Sequence, residues 1–138
     1  MSPLRVVVDP NVLVSLLIGK RLSVLISIFN DPRFRIIMDD LLFDELDGVA
    51  RRPKFRKYFP TKKLDEVVYL IEQNAEILVS GVKAGSISRD PADDYLLGLC
   101  KRGKADVLLT GDDDLLVLET YGRTRMISPK DFIAEYLS

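Results

Sequence analysis

Short runs of aliphatic and β-branched residues recur along this chain, separated by longer stretches whose apolar positions repeat every three or four residues. The run at 4–8 (LRVVV) is continuous rather than alternating, the pattern of a strand buried on both faces. The run at 34–38 (FRIIM) reads the same way, as do shorter ones at 77–79 and 107–109, and 125–127 supplies a fifth candidate strand. Helical spacing predicts helices over 12–18 with Asn11 as cap, over 22–29, and over 41–50 with Asp40 as cap. Another begins at Thr61 and carries Lys63, Val67, Val68 and Ile71. The stretch 81–89, with Gly85 and two serines, reads as a loop. Pro91 fits the first turn of a helix that ends at Arg102 before Gly103, and Ser128-Pro129-Lys130-Asp131 is the capped start of a closing helix. The alternation of strand and helix predicts an α/β fold, a three-layer α/β/α sandwich with a mainly parallel central sheet, formed by one domain over 1–138. Ligands in such folds sit beyond the carboxyl ends of the strands, where Asp9 and the segment 110–114 fall.

Composition narrows the chemistry more than it narrows the fold. The chain of 138 residues is 47% hydrophobic, enough for a core that needs no disulfide or structural metal. A single cysteine, Cys100, excludes an intramolecular disulfide. With no membrane-length apolar run and no signal-peptide layout at the start, a cytoplasmic location is expected. There is no histidine, which removes histidine bases, histidine-activated nucleophiles and histidine-containing zinc sites. The formal net charge of −1 leaves nucleic-acid binding to a local basic patch.

Carboxylates therefore carry the candidate chemistry. Asp9 follows a buried strand directly and needs a donor, a cation or water; in Asp9-Pro10-Asn11 it also fits a turn or helix cap. On the 41–50 helix Leu41, Leu42, Leu46 and Val49 share one side, Glu45 borders that stripe, and Asp44 and Asp47 point away. Glu45 thus either meets a cation or network at the stripe's edge or reaches out to water. Asp90, Asp93 and Asp94 lie in a first helical turn, where they complement the helix dipole whatever else they do. Asp112, Asp113 and Asp114 follow a strand and repel one another unless solvated or joined by a cation. Four such groups in one α/β chain suit Mg²⁺ or Mn²⁺ bound through oxygen, and an ion so held supports phosphodiester hydrolysis.

These segments, taken in order, resemble a known family. Val6-Val7-Val8-Asp9-Pro10-Asn11 is similar to the opening strand–Asp–helix motif of PIN domains. Leu41-Leu42-Phe43-Asp44-Glu45-Leu46 followed by Ala50-Arg51-Arg52-Pro53-Lys54 resembles the second motif of one PIN branch, whose members are labelled toxin components of toxin–antitoxin systems. Asp90-Pro91-Ala92-Asp93-Asp94 with Gly98 resembles the third, and 105–116 (ADVLLTGDDDLL) the fourth. The resemblance implies a metal-dependent endoribonuclease. It makes Asp9, Glu45, Asp94 and Asp112 the catalytic acids, with Asp9, Asp94 and Asp112 as Mg²⁺ or Mn²⁺ ligands and Asn11, Thr110 and Asp114 supporting them. Asp93 competes with Asp94 for the third place: helix geometry turns Asp93 nearer the apolar side, while the small residue four positions on, Gly98, favours Asp94. Pro10 departs from the Thr or Ser usual in the family, removing a hydroxyl and an N–H beside Asp9.

The segment 51–63 (RRPKFRKYFPTKK) carries seven basic residues interleaved with Phe55, Tyr58 and Phe59. Arg51, Arg52 and Lys54 are its candidate RNA contacts, against the reading of an ordinary solvated linker. The resemblance further implies a homodimer and an antitoxin protein as partner. The alternative is a catalytically weakened PIN-like module that binds RNA or protein. A phosphatase of the haloacid-dehalogenase type would need an Asp where Asn11 stands, and Pro10 spoils the acidic pair of a receiver domain.

Overall fold

Burial of the first apolar run organises the molecule. In the computed structural model, which describes residues 2–19, 21–57, 60–79 and 91–137, only the backbone is given for Ile18, Leu22 and 91–93. Strand β1 (Leu4–Val8) has Val6, Val7 and Val8 buried, and lies between β2 (Phe34–Asp39) and β4 (Val107–Leu109), parallel to both. Strand β3 (Glu76–Leu78) flanks β2, and β6 (Thr124–Ile127) flanks β4, again in parallel. The sheet order is β3-β2-β1-β4-β6-β5, where β5 (Thr120–Tyr121) is antiparallel to β6. The two-residue strand β5 is absent from the sequence pattern. Its chain reversal uses Gly122 at φ +59°, a left-handed conformation that glycine takes without strain.

Helices α1 (Pro10–Ile18), α2 (Leu22–Asn30), α3 (Asp40–Ala50) and α4 (Thr61–Asn74) make the connections from β1 through β2 to β3. Helix α5 (Pro91–Arg102) leads back to β4, and a short α6 (Asp113–Leu116) precedes β5. Right-handed crossovers put α1–α4 on one face, and the reversed direction of travel puts α5 on the other. Helix α7 (Pro129–Phe132), capped by Ser128, runs on into a π-helical turn at Ile133–Leu137. Phe132 packs with Phe34 and Tyr136 at ring separations of 5.3 and 4.9 Å, fastening this end to the sheet.

The structure moves two caps by one or two residues from their expected positions. Asp9, not Asn11, caps α1, and Asp39, not Asp40, caps α3 with its side chain accepting from the Leu42 N–H. Asp9 is the first residue after β1 and Asp39 the last residue of β2, so each helix begins immediately at the sheet's rim. Strand β3 also starts and stops one residue earlier than the 77–79 expected, so that Val79 is exposed. The expected loop at 81–89 lies outside the described residues.

Helix α5 and the sheet meet closely at Gly103. A Cβ at this position would stand 2.6 Å from Cγ2 of Ile37 and 3.1 Å from the Leu99 carbonyl oxygen. Ile37 is fully buried in the central strand β2 and cannot swing aside. Gly103→Ala is therefore expected to destabilise the fold by about 1–3 kcal/mol. At a permissive position the same change gives a small gain instead. Urea unfolding checks the sign, and an unchanged or higher midpoint would contradict the close approach.

Candidate active site

Chain direction reverses between β1 and β4: from β1 the chain moves outward to β2 and β3, then returns to the other side of β1 as β4. Loops leaving the carboxyl ends of such neighbours diverge and leave a crevice between them. Asp9 follows β1 and Thr110 follows β4, so the crevice begins with a carboxylate and a hydroxyl. The Asp9 N–H donates to the Leu109 carbonyl at 2.9 Å, fixing the backbone across the gap.

The side chains then form one connected network. Asp9 is 4% exposed; its Oδ1 accepts the Asn11 N–H at 3.0 Å, and its Oδ2 accepts the Thr110 hydroxyl at 2.9 Å. Oγ1 of the fully buried Thr110 also accepts the Asp112 N–H at 3.1 Å. Asp112 Oδ1 in turn accepts the Asp114 N–H at 2.9 Å, capping α6. A single hydroxyl thus sets the position of Asp9 relative to Asp112. Capping uses only part of each carboxylate's acceptor capacity, which leaves lone pairs for another ligand. Pro10 stands at the first helical position, where its missing N–H is not needed, and both oxygens of Asp9 find donors elsewhere.

Asp9 and Asp112 line a cavity of about 610 Å³ together with Asn11, Ser15, Arg21 and Gly111. Its donors to a cation are all oxygens, two of them carboxylates. Mg²⁺ commonly takes one or two carboxylates and keeps several waters, so this lining fits a hydrated divalent ion. Among the described residues no three Asp, Glu, Cys or His side chains are gathered closely enough to enclose one. Glu45 is exposed on α3, Asp94 is half-buried in the first turn of α5, and neither lines the cavity. Asp114 is exposed and contributes its backbone N–H, while the Asp93 side chain lies outside the described residues. A larger and more open groove of about 800 Å³ runs along β6 and α7, but its Glu135 is already paired with Arg125.

Sequence reading missed Asp39, the last residue of β2. Its carboxylate is fully buried and accepts three donors: the Leu42 N–H at 2.8 Å, Arg102 Nη2 at 2.9 Å and the Tyr95 hydroxyl. Burial, followed by the hydrogen bond to Asp39, pushes the Tyr95 hydroxyl well above its ordinary range, so it stays a donor. The network ties the start of α3, which carries Glu45, to α5, which carries Asp94. The available signal was its place directly after an apolar run (FRIIM), the same position that Asp9 holds after LRVVV. Arg21 and Ser15 were also missed, having no motif to mark them.

The basic segment is partly committed within the chain. Arg51 forms ion pairs with Asp47 at 2.9 Å and Asp65 at 2.7 Å. Arg52 and Lys54 are exposed, and Lys54 Nζ lies 5.0 Å from the Phe55 ring centre. Tyr58 and Phe59 lie outside the described residues. The eleven residues of α3 carry the chain about 16 Å along the helix before this segment begins. Cys100 is fully buried, and burial pushes its thiol up to about 12, far from a reactive thiolate.

The family model described as PIN domain matches residues 5–114. No curated protein matches the chain. A solved structure described as PAE2754 from Pyrobaculum aerophilum is similar with a TM-score of 0.55 at 16% identity, over 95% of this chain and 93% of that one. At that identity the likeness speaks to the fold alone; β6 of this chain lies beyond the residues the family model matches.

Proposed function

Since the chain belongs to the PIN-domain family, whose members are typically metal-dependent nucleases, we propose that it is an endoribonuclease that hydrolyses RNA phosphodiesters with Mg²⁺ or Mn²⁺. The observation that carries this reading is the Asp9–Thr110–Asp112 network at the β1/β4 switch point, opening on one cavity. Asp9 and Asp112 would hold the ion, with Asp94 as a further ligand and Glu45 as the fourth acid. A divalent ion held there supplies an oriented water and offsets charge on the phosphodiester.

The chain's own residues contribute orientation. The Thr110 hydroxyl and the Asn11 N–H hold the Asp9 carboxylate between two donors, restricting its rotation. The buried hydrophobic residues behind it, Val8 and Leu109, keep water from approaching from the sheet side. The family also supports a cytoplasmic toxin that an antitoxin protein silences, and a homodimer; among the described residues no helix is long and apolar enough to cross a membrane. Light scattering reads the dimer as twice the chain mass, and a monomer at working concentration would remove it.

The deciding assay is cleavage of a mixed panel of labelled RNAs by purified protein, with Mg²⁺ or Mn²⁺ and with EDTA. Cleavage is expected with metal and is expected to vanish with EDTA, returning when metal is restored in excess. A folded protein that binds the panel but leaves every RNA intact would favour the weakened binding module, a reading to which the exposed Glu45 lends support.

A further inference from the structure

We infer that Arg21 is a substrate-positioning residue that holds an RNA backbone phosphate over the cavity; the inference rests on the nuclease reading of the same site. Arg21 is the one basic residue among the described residues that line the cavity with Asp9 and Asp112. Two carboxylates repel an approaching phosphodiester, and a guanidinium at the mouth offsets that repulsion with a planar fork matched to phosphate oxygens.

Internal duties do not account for this arginine. Arg5, Arg33, Arg51, Arg102, Arg123 and Arg125 each pair with a carboxylate of the chain. Among the described residues Arg21 forms no ion pair, although two acids share its cavity. Its place in the fold is also unfavourable locally. Arg21 caps the N-terminus of α2, with no side-chain hydrogen bond to that helix and no acidic residue in its first turn. A cation at that end opposes the helix dipole, where Ser, Asp or Asn would stabilise. A residue that contradicts local preference beside a functional site points to use by that site.

Backbone hydrogen bonds hold Arg21 at the start of α2 and tie it back to α1. Its N–H donates to the Leu16 carbonyl at 3.1 Å, and its own carbonyl accepts from Val24 at 3.0 Å. Gly19 closes α1 through the Ser15 carbonyl at 2.9 Å, and a Cβ there would stand only 2.8 Å from the same oxygen. The end of α1 therefore requires glycine, and the hydrogen bond to Leu16 keeps the Arg21 backbone beside that end.

Arg21→Ser separates a binding role from a structural one, because serine supplies the missing helix cap. The variant is expected to melt no lower than the parent, while KM for the RNA cleaved in the panel rises about tenfold and kcat changes less. Binding of a fluorescein-labelled single-stranded RNA of mixed sequence is then followed by anisotropy against salt, with Asp9→Asn present in both arms to prevent cleavage. Losing one phosphate contact should reduce the slope of log K against log salt by about 0.7. Arg21→Lys, which keeps the charge without the fork, should restore most of that slope and part of KM. Unchanged KM and slope in Arg21→Ser, in a parent that cleaves RNA with metal, would overturn the role of Arg21 alone. A parent that neither binds nor cleaves RNA would overturn the nuclease reading and this inference with it.

Discussion

Asp39→Ala is expected to lower stability by about 3 kcal/mol, the largest effect of any single side-chain deletion outside the apolar core. The substitution leaves Arg102 without its carboxylate, Tyr95 without its acceptor and α3 without its cap. Removing one partner of a buried pair costs about 3–5 kcal/mol, and the lower figure applies because Arg102 keeps 27% of its side-chain surface exposed. Loss of the cap alone accounts for about 1 kcal/mol of this. Asp39→Asn keeps an oxygen for the Leu42 N–H and should cost visibly less than alanine. Urea unfolding followed by circular dichroism measures both, and an alanine variant within 1 kcal/mol of the parent would mean that the network bears little weight. Because Asp39 joins α3 to α5, the alanine variant should also weaken cleavage at temperatures where it is still folded.

The second large effect is on activity. Asp9→Asn is expected to reduce RNA cleavage at least about 10³-fold while leaving the fold nearly unchanged. Asparagine caps a helix about as well as aspartate, so its Oδ1 can still accept the Asn11 N–H. What disappears is the charge that would hold a divalent ion. Thr110→Val tests the same site from behind, since it removes the donor to Asp9 and the acceptor for the Asp112 N–H together. A fall of about 10–100-fold, with Asp9 intact, is expected for loss of such support. Cleavage that survives Asp9→Asn in the same preparation would assign the activity to another site or another protein.

The sequence by itself determined the central strands, because their burial on both faces leaves an unbroken apolar run. LRVVV and VLL became β1 and β4, and the residues after them, Asp9 and Thr110, had to lie at the sheet's rim. Amphipathic spacing likewise determined α4, whose Leu64, Val67 and Ile71 face the core. These are local signals, settled by the period of side chains along one segment. Tertiary structure decided what depends on several segments arriving together. Glu45 borders an apolar stripe in sequence but is exposed in the fold, since a helix edge faces the core or water according to what packs beside it. Of Asp39 and Asp40, the sequence pattern marked only the second as the cap of α3. Only the point where β2 leaves the sheet makes the first of them cap α3 and meet Arg102 and Tyr95, more than fifty residues away. Arg21 shares no motif with Asp9 or Asp112; a backbone hydrogen bond to α1, whose end at Gly19 has no room for Cβ, brings it to the same cavity.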